Sequence, residues 1–114
     1  MQPPPARGEI WMTDLDPVRG HEQAGKRPAL VISADTFNAG PAGLAVVLPL
    51  TTRHKGVRSH VPIHAPEGGL RKSSFIKCED IRSVAQERLT RCLGAVSAET
   101  MEAVAYRVRV LLDL

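Results

Sequence analysis

The sequence predicts a mainly β domain: a small antiparallel sheet curling toward a barrel, closed by one amphipathic helix at the C-terminal end. Two observations carry this. Up to about residue 93 the apolar residues come in short runs, each bounded by Gly, Pro, Asn or Asp clusters that make turns. Beyond residue 97 the period changes, and apolar residues recur at helical spacing. With 114 residues, 43% of them apolar, the chain suits one folded domain with a single modest core.

Residues 1–6 (MQPPPA) read as a flexible proline-rich leader, and 7–114 as the single domain. Along 9–15 (EIWMTDL) Ile10 and Met12 point one way and Trp11, Thr13 and Leu15 the other, which is a strand with Trp11 as a core anchor. Residues 28–32 form a second, more buried strand. The stretch 35–43 (DTFNAGPAG) is a turn-rich connection. A third apolar strand spans 44–50, where Pro49 implies a sheet edge or an early end to pairing. Short strands follow at 60–64, 73–78, 81–84 and 88–93. Ser97 is placed to cap the last helix, with Glu99 in its first turn. Met101, Val104, Ala105, Val108, Leu111 and Leu112 form its packing stripe, and Arg107 and Arg109 its wetter side.

Charge bounds the partners only loosely. The formal charge of +3 mixes 15 basic with 12 acidic residues, which suits a polyanion weakly and an ordinary solvated surface equally well. Two cysteines, Cys78 and Cys92, make no disulfide framework and no CxxC pair, so buried reduced thiols in a cytoplasmic protein are expected. Neither a charged-then-apolar leader nor an apolar run near membrane-spanning length is present, so no membrane association is expected.

Several chemistries drop out. HExxH, GxxxxGK[ST] and GxGxxG are absent. His60 and His64 would share a strand face about 13 Å apart, too far for one metal ion. No metal or cofactor is therefore expected. Polar side chains remain, above all in the loop 16–27, which carries His21, Glu22, Lys26 and Arg27 between two strands. Arg27 precedes Pro28, so its backbone is biased to an extended form at the loop exit. Its guanidinium suits a phosphate oxygen, or else an ion pair with Glu22 or Asp16 that merely fixes the loop. Thr51 and Thr52 follow a buried strand, where a hydroxyl can meet a phosphate or simply cap a turn. Aromatic content is low, 4%. A nucleic-acid reader of this composition would rely on hydrogen bonds and on the loop cations Arg53, His54, Lys55 and Arg58 rather than on stacking.

The pieces GEIWxxDLDP, GHEQAGxRPALVIS and PLTT, in that order, resemble the MazF/PemK family of ribonuclease toxins, and the likeness runs over residues 8–112. The resemblance implies an SH3-like barrel with a C-terminal helix, usually a homodimer. It also implies a metal-independent endoribonuclease that cuts single-stranded RNA, leaves a 2′,3′-cyclic phosphate (or 3′-phosphate) and a 5′-hydroxyl, and is neutralised by a cognate antitoxin. Such a reaction needs a base for the 2′-OH, cations for the phosphorane and an acid for the leaving oxygen. By resemblance Arg27 and Thr51 do this work. A PemK-like branch adds a His-Glu pair and an Arg-Cys-Asp segment, matched here by His21, Glu22, Lys77 and Glu79. Lys77-Cys78-Glu79 replaces the branch's arginine and aspartate. Lys26, Thr52, Arg53, His54, Lys55, Arg58 and Lys77 would grip the RNA. Two other classes share the architecture or the charge: a toxin of the CcdB kind that binds a protein target, and an RNA-binding module without cleavage.

Overall fold

The structure, a computed structural model, describes residues 3–15 and 25–114. His21 and Glu22 lie outside the described residues. Among the described residues, seven strands form one antiparallel sheet: β1 (Glu9–Asp14), β2 (Lys26–Val31), β3 (Leu44–Thr51), β4 (His60–Ile63), β5 (Ser74–Lys77), β6 (Arg82–Ala85) and β7 (Leu89–Ala95). Their order is β4-β5-β3-β2-β1-β7, with β6 also paired to β3. A short helical turn, α1 (Asp35–Asn38), stands where a turn-rich connection was expected, and α2 (Ala98–Leu112) ends the fold. This is the mainly β architecture with a C-terminal helix that the run lengths and the change of period predict. Ahead of it, Pro5 is buried and the Ala6 N–H donates to Glu9 Oε1 at 2.7 Å.

The near-continuous apolar runs of β2 and β3 are explained by burial on both faces. Ile10, Leu30, Leu48, Leu50, Ile63 and Ile76 form the main core, against which Val104 of α2 is fully packed. Ala29, Val31, Ala45 and Val47 face the other way, into a second cluster with Leu89, Trp11 and Val84. Trp11 thus has the core role expected of it, and its indole N–H donates to Glu9 Oε1.

The sheet curls until the turn after β4 meets β7 at its opposite end. The 3-10 turn Glu67–Gly69 lies so close to β7 that a Cβ on Gly69 would stand 2.0 Å from the Leu93 carbonyl oxygen. A Cβ on Gly94 would stand 2.8 Å from the backbone of Gly68. Glycine is required at both positions because backbone packs on backbone, and at Gly69 also because φ is +76°.

Pro49 departs from expectation: it sits inside β3, a central strand, opposite Ala29 of β2. The reason is a change of partner. On its other side β3 pairs with β6 through Val47 and with β5 from Leu50 onward. Val46 directs both N–H and C=O toward β2 and the segment after it, so by strand alternation Pro49 turns its nitrogen to the opposite side. It falls where β6 has ended and β5 has not begun, and no ladder bond is lost.

Ser97 caps α2 as expected, accepting the Thr100 N–H at 3.1 Å. The packing stripe is shorter than the spacing suggests. Met101, Val104 and Val108 meet the core, whereas Leu111 and Leu112 are 44% and 50% exposed. Arg107 is not on the wet side either, since it is half-buried and donates to the Arg58 carbonyl. Cys78 is buried, but Cys92 is exposed, because β7 is a sheet edge whose middle residues face outward. Among the described residues, no helix is long and apolar enough to cross a membrane.

Candidate active site

Arg27 is the second residue of β2, which begins two residues earlier than the expected strand at 28, so Arg27 is in the sheet, opposite Thr13 of β1, rather than at a loop exit. Thr51 is the last residue of β3. The two strands are paired, and the sheet brings both side chains to one cleft, lined also by Leu15, Arg53, Lys55, Lys77, Asp80 and Arg82. Among the described residues, five cationic side chains face one carboxylate there. That imbalance makes the cleft a site for an anion.

Arg27 is half-buried, and its Nε is buried with no hydrogen-bond partner among the described residues. Burial, and secondarily the nearby Arg53 charge, lower its pKa from the ordinary arginine value. A guanidinium presents its N–H groups in a planar fork, a geometry suited to the oxygens of a phosphate. Thr51 is 8% exposed, and its Oγ1 accepts the Arg53 N–H at 3.2 Å. That bond orients the hydroxyl and leaves its proton to donate.

Asp80 is the cleft carboxylate. Arg82 holds it with two bonds, Nε to Oδ1 at 2.8 Å and Nη2 to Oδ2 at 2.9 Å, and Lys77 Nζ lies 3.6 Å from Oδ2. Burial pulls its pKa up, but Arg82 and Lys77 outweigh it and the net direction is down. Asp80 is therefore ionised at neutral pH and fixes the two cations beside it.

Of the residues singled out from sequence, the cleft gathers Arg27, Thr51, Arg53, Lys55 and Lys77. Lys26 is exposed at the start of β2. Thr52 lines a separate groove with Arg71, Lys72 and Arg91. The His54 ring packs on Phe75 at 5.0 Å, and Arg58 is exposed with its carbonyl bound to Arg107. Glu79 is not in the cleft: its carboxylate meets Ser59 and His60. The cause is a β-turn closed by the Asp80 N–H on the Lys77 carbonyl at 3.1 Å. Such a turn brings its first and fourth residues together and projects the middle two elsewhere. Asp80 and Arg82 are thus cleft residues that sequence reasoning passed over, and for Asp80 the deciding feature is the hydrogen-bonded turn at 77–80. The segment holding His21 and Glu22 leaves the described structure at Leu15 and re-enters at Gly25. Those two residues are joined by an N–H to carbonyl bond of 3.5 Å, and Leu15 lines the cleft.

Residues 6–112 match the family model described as PemK-like, MazF-like toxin of type II toxin–antitoxin system. The chain is 40% identical over 113 residues to endoribonuclease MazF9 of Mycobacterium tuberculosis, covering 95% of this chain and 96% of that protein. It is 33% identical over 109 residues to endoribonuclease EndoA of Bacillus subtilis, covering 95% and 94%. Among solved structures, MazF of Deinococcus radiodurans superposes with a TM-score of 0.84 at 31% identity, over 97% of this chain and 98% of that one. A MazE–MazF structure from the same organism gives 0.80 at 27%, over 97% of each. With a sheet, helix and cationic cleft of this kind, and a match along nearly its whole length, the chain belongs to the PemK-like, MazF-like family of type II toxin–antitoxin toxins.

Proposed function

We propose that this chain is an endoribonuclease toxin that cuts single-stranded RNA by attack of a ribose 2′-oxygen on the adjacent phosphorus. The P–O5′ bond breaks, leaving a 2′,3′-cyclic phosphate (or the 3′-phosphate from its hydrolysis) and a 5′-hydroxyl. The observation that carries this is the gathering of Arg27, whose buried Nε has no partner among the described residues, with Thr51 and four further cations around one cleft. Arg27 and Thr51 hold the phosphate, while Arg53, Lys55 and Lys77 offset the charge that grows on its oxygens. Arginine keeps its proton at working pH, so Arg27 stabilises charge rather than shuttling protons. Proton transfer falls to His21 or Glu22, on the segment whose two ends meet beside the cleft. The chain's own cations supply the charge neutralisation for which other nucleases recruit a metal ion, so the reaction proceeds without one.

The partners that accompany this reading are a cognate antitoxin, in keeping with the MazE–MazF neighbours, and a second copy of the chain in a homodimer. The setting is the cytoplasm. Purified protein should shorten single-stranded RNA in excess EDTA, with 5′-hydroxyl ends, and should spare an RNA carrying a 2′-deoxy nucleotide at the scissile position. Activity that appears only on adding a divalent ion, or cleavage of the 2′-deoxy substrate, would refute the mechanism.

A further inference from the structure

Beside the cleft, but outside it, lies a polar cluster that the reaction leaves unused. The Ser59 hydroxyl donates to Glu79 Oε1 at 2.7 Å, and Glu79 Oε2 lies 2.9 Å from His60 Nε2. The His60 side chain is 4% exposed, and its Nδ1 is buried without a partner among the described residues. An ionised carboxylate can only accept, so the shared proton belongs to His60 Nε2. Among the described residues, Glu79 is therefore the one hydrogen-bond partner of a buried imidazole. Without it both ring nitrogens would be buried and unsatisfied.

The cluster joins two segments that build the cleft. Ser59 and His60 end the polar stretch that carries Arg53 and Lys55. Glu79 is the third residue of the turn whose ends are Lys77 and Asp80. The backbone supports the same junction, since the Cys78 N–H donates to the Ser59 carbonyl at 3.3 Å and His60 stands opposite Lys77 in the β4–β5 register. Arg107 of α2 adds a bond to the Arg58 carbonyl. Four cleft residues, Arg53, Lys55, Lys77 and Asp80, thus hang on the two segments that the carboxylate ties together.

We propose that Glu79 and His60 are positioning residues, a latch that holds the cationic loop against the Lys77–Asp80 turn, and that Glu79 exchanges no proton with the RNA. This inference rests on the reading of the cleft as an RNA-cleaving site. Both Glu79 oxygens are engaged by contacts that favour the ionised carboxylate. Burial pulls its pKa up, and the Ser59 hydroxyl, its own backbone N–H and then His60 outweigh it in the downward direction. A carboxylate held in this way is a weak base.

The test compares wild type with Glu79→Ala, Glu79→Gln and His60→Leu, using a fluorogenic RNA and amide hydrogen exchange. Glutamine can donate to the Ser59 oxygen and accept from His60, so it keeps the latch without the charge. Glu79→Ala and His60→Leu should speed exchange of the Cys78 amide about tenfold or more, with Leu30 and Leu48 amides unchanged. They should lower kcat/KM about tenfold, the double variant falling no further than either single one. Glu79→Gln should stay within about threefold of wild type in both measurements, with the same pH–rate profile. A Glu79→Gln enzyme as slow as Glu79→Ala, with Cys78 still protected, would overturn the proposal and make Glu79 a proton-transfer group. Unchanged Cys78 exchange in Glu79→Ala would overturn it as well. If wild type leaves RNA intact, the nuclease reading falls while the exchange data still decide the latch.

Discussion

At the scale of single residues, the cleft turns on Arg27. Its guanidinium is half-buried, with one N–H unsatisfied among the described residues. On the proposed reading, removing it takes away a phosphate ligand, and because the side chain lies outside the core clusters it opens no cavity there. Arg27→Ala is expected to lower kcat/KM by about two to four decades, the usual worth of one such group, and to leave the melting temperature within a few degrees of wild type. Arg27→Lys should recover only part of the loss, because an ammonium lacks the planar fork. A variant that unfolds would mean the arginine is structural. Arg27 and Thr51 were legible in the sequence because each stands where an apolar strand meets a polar loop, and the motifs around them point the same way. Asp80 was not. Residue type favours Glu79 and Asp80 equally, and only the hydrogen-bonded turn from Lys77 to Asp80 decides which carboxylate reaches the cleft. His60 was hidden for a similar reason: its partner is 19 residues away in sequence, a contact that strand register creates and that no local spacing announces.

At the scale of elements, alternation, run length and the turn residues between runs sufficed to mark the strands, most firmly where a buried face fixes the period, as in β1, β4 and β5. They did not suffice for Pro49, whose place depends on where two other strands end and begin. Nor did they reveal that the 3-10 turn Glu67–Gly69 is bound to the start of α2. Glu67 Oε2 accepts the Thr100 hydroxyl at 2.6 Å and the Ser97 N–H at 3.0 Å. The Thr100 hydroxyl, then the Ser97 N–H, hold the Glu67 pKa below its ordinary 4.5, against the upward pull of burial. The carboxylate also faces the positive end of the helix. A group whose folded pKa is depressed adds stability that is complete above the unfolded pKa and lost as pH falls through the folded one. Glu67→Gln should therefore cost about 1 kcal/mol at pH 7, and the cost should shrink as pH falls below 4.5 through the depressed folded pKa, measured by urea denaturation at pH 7 and at a series of acid pH values. An equal cost at every pH would mean that shape, not charge, is what the turn supplies.

At the scale of the whole molecule, the surface left by the fold asks for a cover. The helix of 15 residues is about 22 Å long, whereas the four-residue strand β4 is about 13 Å. Helical spacing in the sequence marks an apolar stripe but not where the core beneath it stops, so the exposed end could only emerge with the structure. There Tyr106 and Val110 are each 63% exposed, Leu112 50% and Leu114 84%. An apolar patch of that kind on a folded domain marks an interaction surface, and a second copy of the chain is the occupant that the proposed homodimer requires. Sedimentation at micromolar concentration is expected to give twice the 12.4 kDa of the chain. Val110→Asp and Leu112→Asp would each place an unpaired carboxylate in that contact. The desolvation penalty is several kcal/mol, or a loss of two decades or more in dimer affinity, so both variants should sediment as monomers with unchanged helix content. If two copies line one RNA track, those monomers should also bind RNA more weakly and with a shallower dependence on salt, since fewer phosphates are neutralised per complex. A wild-type chain that sediments at 12.4 kDa would rule out the dimer. A dimer that both aspartate variants leave intact would move the interface away from α2.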